Sequence, residues 1–128
     1  MELRAELGPE PSEVAHARHL VAEQLPAWNI PDEPAETTVL LVSELVTNAL
    51  RHGHPPFLLT ACTTPTGVRV EVHDSNGSDY PSLREVKPDL PGGRGLRLVE
   101  VLADRWGSGE SEHGKLVWFE VDIEPEGD

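Results

Sequence analysis

A single cysteine, Cys62, stands among the 128 residues. No internal disulfide can form, and the paired thiolates of the common structural zinc sites cannot be assembled. Positive charge is equally short, with 10 basic residues against 23 acidic ones and a formal net charge of −13. A phosphate backbone repels so acidic a chain as a whole, which makes DNA and RNA poor partners. No apolar run approaches the roughly 20 residues of a membrane-spanning helix, so no membrane partner is expected. The stretch Met1-Glu2-Leu3-Arg4-Ala5-Glu6 has no basic flank followed by apolar residues. Neither a secretory nor a mitochondrial address is visible, and a cytoplasmic location is expected by default.

The chain does hold 38% apolar residues, enough for the core of one compact domain over residues 1–128, with 121–128 as a loose acidic end. From Glu2 to Leu7 the pattern alternates weakly, as in a short edge strand. Behind Ser12, a candidate cap, Val14, Ala17, Val21, Leu25 and Trp28 recur at near-helical spacing, and Pro26 is expected to end or kink that helix. Asp32 is a second candidate cap, after which apolar periodicity runs to Leu50 until Gly53 stops it. Residues 57–63 and 68–74 read as two strands joined at Pro65-Thr66-Gly67, a hairpin with one buried face. Residues 75–93 hold three prolines and three glycines and read as a long loop of the kind that serves as a functional lid.

A third helix is expected from about Arg94 to Asp104, with Leu96, Val99 and Ala103 inward. A last hairpin would pair residues 105–107 with 116–121. Helices and antiparallel strands thus fall in blocks. The expected fold class is α+β: a two-layer sandwich whose sheet is mixed but mostly antiparallel, covered on one face by about three helices.

Three segments are candidates for chemistry. At about 100° per residue, Ser43, Glu44, Thr47, Asn48 and Arg51 fall within one polar arc, opposite Val42, Leu45, Val46, Ala49 and Leu50. Glu44 and Asn48 sit one turn apart and point the same way. The carboxylate can take a proton or organise water, and the amide oxygen can bind Mg²⁺. Taken alone, such an arc is ordinarily the wet side of an amphipathic helix. Asp74, where a strand opens into Ser75-Asn76-Gly77-Ser78, can accept a hydrogen bond from an exocyclic amine such as that of adenine. As ordinary turn chemistry it would instead cap nearby backbone amides.

In the third segment, Pro91-Gly92-Gly93-Arg94-Gly95-Leu96, glycines lead into a helix whose free amides, with Arg94, would make an anion site suited to phosphate. A glycine run before a helix is more often a connector. Two better-known phosphate motifs are missing, since there is no G-x-x-x-x-G-K-[ST] and Gly93-x-Gly95-x-x-Leu98 lacks a third glycine. His16-x-x-His19 and His52-Gly53-His54 have ligand-like spacing but no further clustered ligand, so surface and cap roles are expected. Trp28, Trp106 and Trp118 read as core anchors.

In their order and spacing, Ser43-Glu44-Leu45-Val46-Thr47-Asn48-Ala49, Asp74, Gly92-Gly93-Arg94-Gly95-Leu96 and Gly114-Lys115-Leu116-Val117-Trp118 closely resemble the histidine-kinase-like ATPase superfamily, also called GHKL or Bergerat-fold. Within it the chain looks most like the small anti-sigma-factor serine kinases and their stand-alone actinobacterial relatives. The resemblance runs from Leu7 to Val121. It implies that Glu44 is the general base, that Asn48 holds the Mg²⁺ bridging the phosphates of ATP, and that Asp74 reads the adenine amino group. Gly93 to Gly95 match the glycines at the base of an ATP lid. The nucleotide-binding set expected from the resemblance is completed by Arg51, Gly77, Arg94, Leu96 and Lys115, of which Arg94 and Lys115 would supply local cations.

Three departures from the family pattern stand out. Asn76 and Ser78 replace the two glycines of the first glycine box and leave only Gly77. Leu116 stands where a threonine often follows the Gly-Lys, and its hydroxyl contact is lost. The lid is short and punctuated by proline. Together they point toward weak ATP binding. The resemblance implies an ATP-dependent protein serine/threonine kinase that binds a sigma factor, phosphorylates an anti-sigma factor antagonist and forms a homodimer. The alternative is a partner-switching binding module of the same fold that binds nucleotide weakly or not at all. A phosphoacceptor histidine kinase is disfavoured because no dimerisation helix pair is accommodated.

Overall fold

The computed structural model describes residues 2–75, 96–111 and 114–123. In chain order the elements are β1 (Glu2–Leu7), α1 (Glu13–Ala27), α2 (Asp32–His52), β2 (Phe57–Thr63), β3 (Gly67–Asp74), α3 (Arg97–Leu102), β4 (Arg105–Ser111) and β5 (Gly114–Asp122). The strands form one sheet in the order β1-β2-β3-β5-β4, and every neighbouring pair is antiparallel. The expected two-layer α+β sandwich is what is found, with three helices among the described residues. The sheet is wholly antiparallel there, because each pair joins through a hairpin or a return connection and no parallel crossover is made.

Helix α1 is amphipathic, and Ala17, Val21 and Leu25 are its buried residues. Two local expectations are corrected here. Ser12 precedes the helix without a side-chain capping bond, its own backbone already being helical. Pro26 does not end the helix, which continues to Ala27. The stop is made by Asn29, at a left-handed φ of 62°. Its amide donates to the Pro26 carbonyl at 2.9 Å, and the Ile30 amide donates to the Leu25 carbonyl at 3.1 Å. This pairing satisfies the last carbonyls and brings buried Ile30 against buried Leu25.

Helix α2 begins at Asp32, with Pro31 rather than Asp32 in the capping position. Asp32 and Glu33 in the first turn and Arg51 and His52 in the last oppose the helix dipole at both ends. Leu41, Val42, Leu45 and Val46 are almost fully buried, and α2 packs on α1, α3, β3 and β5. Thr38 is fully buried as well, and its hydroxyl donates to the Pro34 carbonyl at 2.7 Å, which satisfies that buried group. Helix α3 is shorter than expected, starting at Arg97.

Strand alternation sorts the sheet into two faces. Leu59, Ala61, Val68, Val70, Val72, Phe119 and Val121 meet the helices. The opposite face carries a charged row built by register: Glu2 lies opposite Cys62, Cys62 opposite Arg69, Arg69 opposite Glu120, and Glu120 opposite Arg105. Arg69 bonds Glu120 at 2.9 Å and Glu71 at 2.8 Å, and Arg105 bonds Glu120 at 2.8 Å and also pairs with Asp122. Trp118 belongs to this face and not to the core. It neighbours Phe119, which is fully buried on the other side, and the Arg69 guanidinium lies 4.1 Å over its ring. Trp28 is in the core, and Trp106 is partly buried against it.

Candidate functional site

The last turns of α2, the end of β3 and the start of β5 converge at one end of the sandwich. The convergence follows from local bonding. Helix α2 closes at Gly53, whose amide donates to the Ala49 carbonyl at 2.8 Å. Just beyond it, the Ser75 amide donates to the His54 carbonyl at 3.0 Å, and the Ser75 hydroxyl donates to the Pro55 carbonyl at 2.7 Å. The end of β3 is thereby pinned to the chain leaving α2, and Asp74 lies against Gly53. Across the sheet Asp74 is directly opposite Lys115 of β5.

Asn48, Asp74 and Lys115 are 9%, 5% and 8% exposed. Three polar or charged side chains this deeply buried in one place need a common reason, since such groups are ordinarily left in water. All three border one cavity of about 10 Å³, roughly the room for one water. Leu45, Val72 and Val117 wall it, and His52 and Gly53 complete its rim. Glu44 sits one turn before Asn48 and is half-buried. Removal from water pushes its carboxyl above the ordinary glutamate range. A carboxylate tuned in this direction is better suited to taking a proton near neutral pH than a fully solvated one.

The polar arc of α2 is therefore not simply wet. Asn48 turns into the molecule and Glu44 is partly withdrawn, whereas Arg51 is exposed. Asp74 is likewise no solvent-facing turn carboxylate. Leu96 is 2% exposed and belongs to the core cluster, where it anchors the start of α3. Gly77, Gly93, Arg94 and Gly95 lie outside the described residues, as do Asn76, Ser78 and the expected lid.

Strand alternation places Leu116 opposite His73, on the charged face of the sheet. The position that faces Asp74 is Lys115, in phase with Val117, Phe119 and Val121. Two further site residues went unread in the sequence. Gly53 was read only as a helix stop and His52 only as a cap. The alternation of β5 was a signal available for Lys115. Nothing local could have shown that β3 ends against Gly53.

His16 and His19 each pair with a glutamate of their own helix, Glu13 at 2.8 Å and Glu23 at 3.1 Å. Chemically, the assembled end of the sandwich offers a proton acceptor in Glu44, a hard amide oxygen in Asn48, a buried carboxylate in Asp74 and an ammonium donor in Lys115. The amide oxygen is of the kind that suits Mg²⁺, and the carboxylate is of the kind that suits an exocyclic amine.

No curated protein matches the chain. Among solved structures, the RsbU and RsbW domains of Rv1364c from Mycobacterium tuberculosis align with a TM-score of 0.71 at 19% identity, over 96% of this chain and 32% of that one. A blue-light activated histidine kinase from Erythrobacter litoralis EL346 aligns at 0.52 and 25% identity, over 73% of this chain and 32% of that one. The histidine kinase domain of the same protein aligns at 0.50 and 25% identity, over 73% and 46%. The chain thus spans about a third of the length of the first two solved chains and under half of the third. The family model described as the histidine kinase-like ATPase domain matches residues 7–121, and the chain belongs to that family.

Proposed function

We propose that the protein binds Mg-ATP at this end of the sandwich and transfers its terminal phosphoryl group to a serine or threonine of a small protein partner, an anti-sigma factor antagonist. A sigma factor would be its second partner. The observation that carries this reading is the spacing along α2: a half-buried Glu44 with a raised pKa one turn from a buried Asn48, which shares its cavity with Asp74 and Lys115.

In phosphoryl transfer the protein mainly positions groups and offsets charge. Asn48 would hold Mg²⁺, which when bound screens the negative charge of the phosphates. Asp74 would fix the base through its amino group. Glu44 would receive the proton of the attacking hydroxyl, and the α2 backbone holds it at a fixed rise of roughly 6 Å from Asn48. The family resemblance further implies a homodimer, to be measured by light scattering. No helix among the described residues is long and apolar enough to cross a membrane.

The test is incubation of the protein with labelled Mg-ATP and candidate antagonists, with Glu44→Ala as control. The expected result is a label on a serine or threonine of the antagonist that disappears with the variant. A label that survives Glu44→Ala, or none with any antagonist, overturns the kinase reading. Absence of heat and of a thermal shift at millimolar Mg-ATP would leave a partner-switching module of the same fold.

A further inference from the structure

By its place in Ser75-Asn76-Gly77-Ser78, Ser75 is an ordinary turn residue. The sheet register gives it a further task. Strand β3 ends at Asp74, whose partner on one flank is Lys115 of β5. On the other flank the β2 ladder has already stopped, with Leu58 opposite His73. Asp74 is therefore laddered to a neighbouring strand on one side only, at the kind of strand end where pairing opens most readily.

The chain leaving α2 takes the place of the missing strand. The Ser75 hydroxyl donates to the Pro55 carbonyl at 2.7 Å and lies 3.3 Å from the His54 carbonyl, to which the Ser75 amide donates at 3.0 Å. With the amide spent on His54, it is the hydroxyl that fastens this strand end to Pro55. His54 and Pro55 directly follow Gly53, which lies against the Asp74 carboxylate. The clasp thus joins the residue after Asp74 to the residues after Gly53, and it sets how the carboxylate sits relative to α2. Asn48, Gly53 and Asp74 border one cavity, so that placement also fixes the carboxylate relative to Asn48.

Placement decides what a carboxylate can read. An N–H···O bond is best near about 2.9 Å and weakens steeply once its angle falls below about 120°. A shift of the strand end would weaken the bond from the adenine amino group and leave contacts to the phosphates unchanged. A serine that merely closed a turn would, when replaced, weaken all nucleotides alike.

We propose that Ser75 is a positioning residue for base recognition, its hydroxyl holding the Asp74 carboxylate where it accepts from the amino group of adenine. The inference rests on the Mg-ATP reading above and adds to it the residue that sets selectivity for that amino group.

The experiment is calorimetric titration of the full chain with the Mg²⁺ complexes of ATP and of purine riboside triphosphate, in which hydrogen replaces the amino group. Wild type, Ser75→Ala, Ser75→Cys and Ser75→Thr are compared. The wild type should prefer ATP by about tenfold or more. Ala, which has no donor, and Cys, a weak one of similar shape, should each weaken ATP by about fivefold and the analogue by less than about twofold. Thr, which keeps the hydroxyl, should preserve the wild-type ratio. Equal losses for both nucleotides, or an unchanged ratio in Ala and Cys, overturn the inference and leave ATP binding intact. A wild type that binds both equally overturns it together with the base-reading role of Asp74. No heat from either nucleotide overturns the Mg-ATP reading as well. Thermal melts report whether each variant folds, and the wild-type ratio and the Cys variant are decisive even where Ala does not.

Discussion

A β-carbon built on Gly53 would lie 2.6 Å from Oδ2 of Asp74 and 3.0 Å from the Ala49 carbonyl oxygen. The end of α2 and the end of β3 meet at the place where a side chain is missing. The φ of Gly53 is −108°, open to any residue, so it is space and not backbone strain that calls for glycine here. Through this contact the helix carrying Glu44 and Asn48 is set directly against the carboxylate assigned to the base.

Gly53→Ala forces either the Asp74 carboxylate or the helix end to move. Overpacking of this kind costs about 1–3 kcal/mol, partly offset by about 0.4–1 kcal/mol from the stiffer unfolded chain. The melting temperature should fall by a few degrees, and Mg-ATP affinity should fall about tenfold, or about 1.4 kcal/mol. Calorimetry and a thermal melt measure the two effects. Unchanged affinity would show that Asp74 does not depend on this contact.

Glu44→Gln separates catalysis from stability. Because burial raises the Glu44 carboxyl above its unfolded value, its favourable contribution is complete below the unfolded pKa and is lost as pH rises through the folded one. At neutral pH the ionised side chain therefore weakens the fold. Glu44→Gln should melt at a higher temperature than wild type at pH 7, with the gap closing below about pH 4. Phosphoryl transfer should drop by about 10²- to 10⁴-fold. A variant that melts lower at pH 7 would contradict the burial of this carboxylate.

Glu120 has the opposite sign. The Arg105 guanidinium, and behind it Arg69, hold its carboxyl below the ordinary range. Its contribution is present above the unfolded carboxylate pKa and is lost as pH falls through the folded value. Glu120→Gln should cost about 1 kcal/mol at neutral pH, shrinking toward zero under acid and at high salt. Urea titrations at pH 7 and pH 3 measure the difference. An equal cost at both would mean that packing, not charge, is lost.

Phe119→Ala removes the largest fully buried side chain among the described residues. It should cost about 3–5 kcal/mol in chemical denaturation. A loss under 1 kcal/mol would mean that the core refills the space.

The elements were legible in the sequence where one local signal dominated. β1 and β2 fall at their expected bounds because alternation and flanking prolines agree, and α2 was visible from its apolar period and Gly53. Helix ends were read less well. Pro26 looked like a stop but sits inside the last turn, since the ending depends on Asn29 adopting a left-handed conformation. Trp118 looked like a core anchor because size alone suggests burial, yet its phase against Phe119 puts it on the charged face.

The sequence by itself determined the family, the helix that carries Glu44 and Asn48, and the strand that ends in Asp74. Each is written in spacing along one segment, where periodicity fixes which side chains share a face. The tertiary structure alone decided that Asp74 abuts Gly53, that Lys115 and not Leu116 faces it, and that Asn48 is buried beside both. Those relations depend on cross-strand register and on the loop that pins β3 to the end of α2, and they bring together residues far apart in the chain.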